Sequence, residues 1–149
     1  MQKEKSIAFS LRQIETNQFA TFGDGKCDPD QLTEQITFSF GTILEEQILV
    51  CIFTYTLKFN EQPFLTIEVA CSFNIEAIHW TELLDLKKQQ VVLPKYFAQH
   101  IANITIGTAR GVLHTKTERT LFNQYPVALV NLEELFNRDA VINFVIEDK

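Results

Sequence analysis

Three histidines are the first candidates for chemistry, because imidazole can ligate a metal ion or transfer a proton near neutral pH. His79, His100 and His114 show neither the HxxxH nor the HExxH spacing of zinc enzymes. If His100 and His114 share a helix, their separation in sequence places the two imidazoles on a similar face but about 20 Å apart. A metal site that uses both is therefore not expected.

Cysteine is the next reactive residue type. Cys27, Cys51 and Cys71 form no CxxC pair and are odd in number, which is typical of reduced thiols in a cytosolic protein. Cys51 and Cys71 lie within apolar, strand-like runs. The sequence therefore predicts that both are buried structural thiols rather than nucleophiles.

The remaining chemical motifs are also missing. Asp24, Asp28 and Asp30 lack the spacing and the closing glutamate of an EF-hand, and no P-loop, GxGxxG or GxSxG motif is present. We therefore expect no catalytic residues, no metal and no cofactor, and the sequence favours a binding protein. An enzyme or small-ligand protein with a site between a sheet and a helix is an alternative, supported only by the three histidines.

Composition limits the classes of partner. The 149 residues carry a net charge of −6 and are 46% hydrophobic, which predicts one folded domain over residues 1–149. An acidic chain without a basic cluster is a poor match for nucleic acid. The longest apolar run, Ile48–Phe53, is far shorter than the ~20 residues of a membrane span. The charged start, Met1–Lys5, does not resemble a signal peptide, so we expect a cytoplasmic protein without membrane insertion.

Alternating apolar and polar residues predict an antiparallel sheet over about residues 6–76. The chain has 13 phenylalanines but only 5 glycines and 4 prolines, which favours long elements with few turns. The run from Phe64 to Ile75 alternates cleanly, and that from Gln47 to Leu57 is apolar on both faces. The first run changes phase at Ile14, which predicts a β-bulge. Four strands in series are expected.

The second half of the chain has a helical period. After an expected crossover loop over residues 77–93, Pro94 opens a predicted long helix over about 94–117, followed by a short helix from about residue 131. Apolar residues recur along the long helix at spacings of three and four: Phe97, Ile101, Ile104, Thr108 and Val112. Residues 140–146 fit a helix or a strand. The predicted fold class is therefore α+β.

Several motifs resemble the SecB family of bacterial export chaperones. Ala109-Arg110-Gly111, Arg119-Thr120-Leu121-Phe122 and the stretch from Val130 to Phe136 resemble the family's C-terminal portion. The stretch from Phe64 to Val69, continued by Phe73-Asn74-Ile75, looks like its fourth strand. The resemblance covers about residues 7–137.

The resemblance implies an ATP-independent holdase that binds unfolded polypeptides or preproteins along apolar surface grooves. It also implies a homodimer or a dimer of dimers, in which strands pair across protomers. For the strand aromatics, packing in the core beneath the helix is the alternative to lining a groove, and core packing is likewise the alternative for Trp80, Leu83 and Leu84. The groove candidates are Phe38, Phe40, Phe53, Tyr55, Phe73, Trp80, Leu83 and Leu84.

Docking to SecA, the motor ATPase that receives clients from export members of the family, is in doubt for this chain. The acidic residues that the family carries near the end of its first strand are missing from Thr16–Phe22, so Phe59 and Glu61 are the remnant of that site. The alternative is a dedicated chaperone for one partner, such as an antitoxin. An ordinary sheet face is the alternative for the residues that are our candidates for the dimer seam: Ile7, Phe9 and Leu11.

Overall fold

The computed structural model describes residues 6–146, and its largest element is the predicted four-stranded antiparallel sheet. The strands are β1 (Phe9–Thr21), β2 (Leu32–Ile43), β3 (Ile48–Phe59) and β4 (Gln62–Ile75). Their order across the sheet is β1-β4-β3-β2, so β2 to β4 form a meander and β1 lies beside β4 at the far edge. Asn60 and Glu61 adopt the positive φ angles, 50° and 66°, that a two-residue type I′ hairpin turn requires.

The two edges of this sheet differ in regularity. β2 pairs with β3 without a register shift from Leu32 to Ile43. In its pairing with β4, β1 skips a residue at Arg12 and again at Asn17. The first skip confirms the bulge predicted from the phase change at Ile14, and such bulges twist an edge strand and disrupt its pairing.

One long helix, α2 (Lys95–Thr117), packs against a single face of the sheet. Its bounds match the predicted helix, and Pro94 is its N-cap residue. Alternate residues of β3 and β4 point toward it and are fully buried, as the period of two predicts. The helix buries Phe97, Ala98, Ile101, Thr105, Ala109 and Leu113, whereas Ile104, Thr108 and Val112 of the predicted apolar pattern are half-buried.

Two thiols lie in this layer. Cys51 and Cys71 are directly opposite each other on β3 and β4, and both are fully buried, as predicted. Burial raises the pKa of Cys51 to about 12, against a hydrogen bond with Thr105 that lowers it. Burial also raises the pKa of Cys71. Both sulfurs are therefore neutral thiols at physiological pH.

Residues 77–93, expected as a crossover loop, contain regular structure. They form helix α1 (Ala77–Leu83), strand β5 (Leu84–Asp85) and strand β6 (Gln90–Leu93), the strands being an antiparallel pair. The helix is two turns long and the strands are shorter still, so none of them spans enough residues to show a period in the sequence.

The C-terminal part of the chain returns across the helix. Arg110 of α2 donates from Nε to the carbonyl oxygen of Val127 and from Nη2 to that of Ala128. Asn131 accepts a hydrogen bond from the backbone N–H of Glu134 and thereby caps α3 (Leu132–Leu135), the predicted short helix. The tail, for which helix and strand were both open, forms β7 (Ala140–Asn143), which pairs with β6.

The buried thiols give a test of the packing beneath α2. In the native protein at pH 8, a pKa near 12 leaves a thiolate fraction of about 10⁻⁴, against roughly a quarter for an unperturbed cysteine. We expect Cys51 and Cys71 to react with iodoacetamide at least about 100-fold more slowly than in the denatured chain, whereas half-buried Cys27 reacts first. Mass spectrometry of tryptic peptides measures each site, and equal native rates at all three cysteines would contradict the packing.

Candidate functional site

Burial divides the eight groove candidates into two groups. Phe53, Tyr55 and Phe73 are at most 2% exposed, and Trp80 and Leu83 are also buried, so these five offer no surface in this conformation. Phe38, Phe40 and Leu84 are half-buried. Of the eight candidates, therefore, the second group alone can line an apolar groove in this conformation.

Three members of the first group, Phe53, Tyr55 and Phe73, belong to the core because β3 and β4 are the central strands. Phe53 and Tyr55 lie in β3 on the side that faces α2, and their rings stack with centroids 6.4 Å apart. Phe73 of β4 is in edge contact with Phe9 at 5.8 Å. Burial, together with the nearby Glu34 carboxylate, raises the pKa of Tyr55. For these side chains the core alternative describes the structure.

The second group is dominated by the edge strand β2. Phe38 and Phe40 project from β2 on the same side as α2, opposite Phe53 and Cys51 of β3. Among the elements of residues 6–146, β2 pairs with β3 alone. The outward N–H and C=O groups of β2 are therefore not used by another strand in this part of the chain, and they lie beside half-buried aromatic rings. We call this feature the β2 edge (Leu32–Ile43).

An aromatic side chain from the C-terminal part of the chain packs against the β2 edge. The Phe136 ring lies 5.2 Å from that of Phe38 and 5.8 Å from that of Phe40, with edge-on geometry in both pairs. Apolar side chains near it in sequence are strongly exposed: Leu129 at 93% and Leu135 at 49%. From sequence, Phe136 supported the family resemblance and was not identified as a site residue, because its neighbours in sequence indicate a capped helix and not the strand against which the ring packs.

The opposite edge of the sheet holds the candidates for a dimer seam. Ile7 is 9% exposed, and Phe9 packs in edge contact with the rings of Phe97 and His100 at 5.5 and 5.6 Å. Leu11 is 47% exposed. Two of the three candidates therefore pack inside their own chain, and only Leu11 presents a free apolar surface on this strand segment.

The two residues predicted as a remnant of a SecA-docking site, Phe59 and Glu61, lie at the hairpin between β3 and β4. Phe59 is half-buried opposite Gln62, and Glu61 is exposed. Phe59 packs against the core and pairs with Leu32, at the opposite end of β2 from Phe40.

The three histidines lie on two different helices. His79 of α1 is partly buried, 3.9 Å from the Glu82 carboxylate, whereas His100 and His114 lie on α2. His114 contacts Glu118 at 3.5 Å and lines a cleft of about 390 Å³ between α2 and the following segment. Within residues 6–146, no three His, Cys, Asp or Glu side chains cluster as a metal site would require.

That cleft has an unusual wall. Gly107 and Gly111 of α2 line it beside Arg110, and a Cβ added to either glycine would meet nothing within 4 Å. Glycine in a helix interior costs about 1 kcal/mol relative to alanine, and these two glycines leave this stretch of the helix surface without side chains.

No helix in the described part of the chain is long and apolar enough to cross a membrane.

Comparison with known proteins identifies the fold but no sequence family. No family model matches the chain, and no curated protein is significantly similar to it in sequence. Among solved structures, the chain is similar to the Mycobacterium tuberculosis SecB-like chaperone Rv1957, which was solved in complex with a ChAD peptide from the antitoxin HigA1 (Rv1956). The TM-score is 0.50 at 14% identity, over 82% of this chain and 90% of that one. The chain therefore has a SecB-like fold.

A second solved structure is a protein of unknown function from Streptococcus agalactiae. It matches 85% of this chain and 99% of its own chain, at 9% identity and with a TM-score of 0.40.

The division between core and edge aromatics is testable by stability. Phe53→Ala removes a fully buried ring, so we expect the free energy of unfolding in urea to fall by about 3–5 kcal/mol. Ile52→Ala, on the other face of the same strand, is the matched control and is expected to cost about 1 kcal/mol. A Phe53→Ala protein of near wild-type stability that no longer binds an unfolded client would instead place Phe53 in a groove.

Proposed function

We propose that this protein is an ATP-independent holdase that binds extended apolar segments of unfolded polypeptides at the β2 edge. The observation that carries this proposal is an edge strand of 12 residues in continuous register, from which two half-buried phenylalanines, Phe38 and Phe40, project. We further propose that the chain is a member of the SecB family, acts in the cytoplasm without a cofactor, and is not an enzyme.

The backbone of β2 supports binding that does not depend on sequence. An edge strand presents a row of N–H and C=O groups, and an extended peptide can pair with them as an additional strand. β2 contains no proline and no bulge in its pairing with β3, so its backbone can pair over its whole length. Every unfolded protein can supply such a segment, which suits a chaperone with many clients.

Side chains beside this edge supply the apolar part of the binding free energy. Full burial of one phenylalanine or leucine side chain is worth about 1.5–3 kcal/mol. A few such contacts from Phe38, Phe40 and their neighbours, added to strand pairing, are of the right order for micromolar binding, which corresponds to about −8 kcal/mol. The net charge of −6 helps to keep a protein with exposed apolar side chains soluble.

A homodimer or a dimer of dimers is part of this proposal. The bare surface of α2 at Gly107 and Gly111 is open to close approach by another chain. Val50 and Ile52 of β3 lie on the sheet face opposite α2 and are half-buried. This second apolar face of β3 is a surface that another protomer could cover. Partners outside the protein are unfolded chains, not nucleic acid.

The holdase is tested with a chemically denatured client diluted into buffer without nucleotide. We expect stoichiometric protein at micromolar concentration to suppress light scattering from aggregation of several unrelated clients, with no change on addition of ATP. An equal concentration of a compact acidic protein that has no exposed edge strand is the control. Unchanged aggregation of every client would contradict the proposal.

A dedicated chaperone for one partner is the second candidate, favoured by the fold shared with Rv1957 and by the absence of acids from Thr16–Phe22. Rv1957 was captured with an antitoxin peptide, and such a role here would use the same β2 edge for one preferred segment. Native pull-down from the source cell, read by mass spectrometry, separates the two. One dominant partner without SecA supports the dedicated role, whereas a broad client list with SecA contradicts it.

A further inference from the structure

A segment of the chain itself lies where a client would bind. The segment Leu132–Asn143, which we call the strap, contains α3 and β7 and passes along the α2 side of β2. Its Phe136 ring contacts both half-buried aromatic rings of the edge strand, at 5.2 Å from Phe38 and 5.8 Å from Phe40. An apolar side chain of the strap thus occupies the aromatic pair on which the proposed function depends.

The strap is held by hydrogen bonds, by strand pairing and by partly buried apolar side chains. Gln99 donates a hydrogen bond from Nε2 to the carbonyl oxygen of Phe136 at 2.7 Å, and the backbone N–H of Lys95 donates to Oδ1 of Asp139 at 2.9 Å. β7 adds four register pairs with β6 and a side-chain hydrogen bond between Gln90 and Asn143. The three hydrogen bonds that involve side chains lie at exposed or part-buried positions, where water can replace them at little cost, whereas the β6–β7 pairing includes the buried Val91 and Ile142.

Burial of the strap is also slight compared with that of the core. Among residues 132–143, Ile142 is the single residue below 9% exposure, whereas Leu135 and Val141 are each 49% exposed. Local unfolding is easiest for segments with little buried apolar surface and exposed hydrogen bonds. These features favour local detachment of the strap over unfolding of the four-stranded sheet and α2.

The strap shares two properties with a client segment: an apolar side chain and an extended backbone. It offers an aromatic side chain to Phe38 and Phe40, and an extended apolar stretch, Ala140-Val141-Ile142, to the neighbouring strand β6. An external segment that takes the same aromatic pair has to displace Phe136 first, because two rings cannot fill the same position.

We propose that the strap is an intramolecular competitor that covers the Phe38 and Phe40 rings of the β2 edge and that a client displaces; this inference rests on the proposed function. A site that is open only part of the time binds with an apparent Kd equal to its intrinsic Kd divided by the open fraction. The strap thereby sets how apolar a segment must be before the protein retains it, and it shields the edge between clients.

The experiment compares a locked strap with a loosened one. Gln90 and Asn143 are directly opposed on β6 and β7, so the double variant Gln90→Cys/Asn143→Cys, made with Cys27→Ser, can be oxidised to hold the strap in place. Mass spectrometry confirms the disulfide, and the buried Cys51 and Cys71 remain reduced. The same preparation with reductant is its own control. The probe is a fluorescent permanently unfolded polypeptide, such as a reduced and alkylated secretory protein.

The loosened variant is Phe136→Ala, with Leu135→Ala as the matched control because that side chain is exposed rather than inserted. We expect the oxidised lock to weaken client binding at least 10-fold relative to its reduced form. We expect Phe136→Ala to tighten binding at least 3-fold and Leu135→Ala to change it less than 2-fold. Circular dichroism and urea unfolding report whether each variant keeps the fold.

Two outcomes overturn the inference while the holdase proposal stands. Equal client affinity of the oxidised and reduced lock would show that β7 does not leave β6 on binding, which contradicts displacement of the whole strap. Weaker binding by a folded Phe136→Ala protein would show that Phe136 is a wall of the groove rather than its occupant. Absence of client binding by every form, including the wild type, would contradict both the strap and the proposed function.

Discussion

The central constraint on this structure is that the two edge strands of a four-stranded sheet carry backbone N–H and C=O groups that can pair with another strand. Each edge strand has a row of N–H and C=O groups without a strand partner, and soluble proteins usually blunt such edges. β1 is blunted by two interruptions of its register, at Arg12 and Asn17. β2 has no such interruption. The fold thus leaves one regular edge beside apolar side chains, and both the proposed binding and its proposed control by the strap follow from that edge.

The phenylalanines divide between two tasks according to the strand that carries them. Phe53 and Phe73 lie on central strands beneath α2 and stabilise the sheet–helix core. Phe38 and Phe40 lie on an edge strand, where α2 does not fully cover them. A rigid core with an incompletely covered edge is a sound base for binding mobile chains, because the binding strand is held in register by its neighbour while its outer side remains available.

Much of the fold could be predicted from sequence because its elements are long. The alternation from Phe64 to Ile75 and the helical spacing from Phe97 to Val112 each extend over more than ten residues, and both elements form. Helix α1 and strands β5 and β6 were missed because two turns of helix and two short strands contain too few residues to show a period.

The site was harder to predict than the fold. Phe38 and Phe53 have the same residue type and the same alternating neighbours, yet one is half-buried and the other fully buried. The difference arises from strand order, which places β3 inside the sheet and β2 at its edge, and alternation along a strand carries no information about that order. Phe136 was missed for a similar reason, since its neighbours in sequence identify a capped helix and not the strand against which the ring packs.

Amide hydrogen exchange with and without an unfolded client tests the central claim most directly, because strand addition gives hydrogen-bond partners to edge amides that no other strand within residues 6–146 pairs with. The account predicts that bound client slows exchange along β2 while amides of β1 keep their rates, and that amides of the strap exchange faster as the client displaces it. Protection confined to β1 or to the outer surface of α2, with β2 unchanged, would contradict the account and place the client elsewhere on the fold.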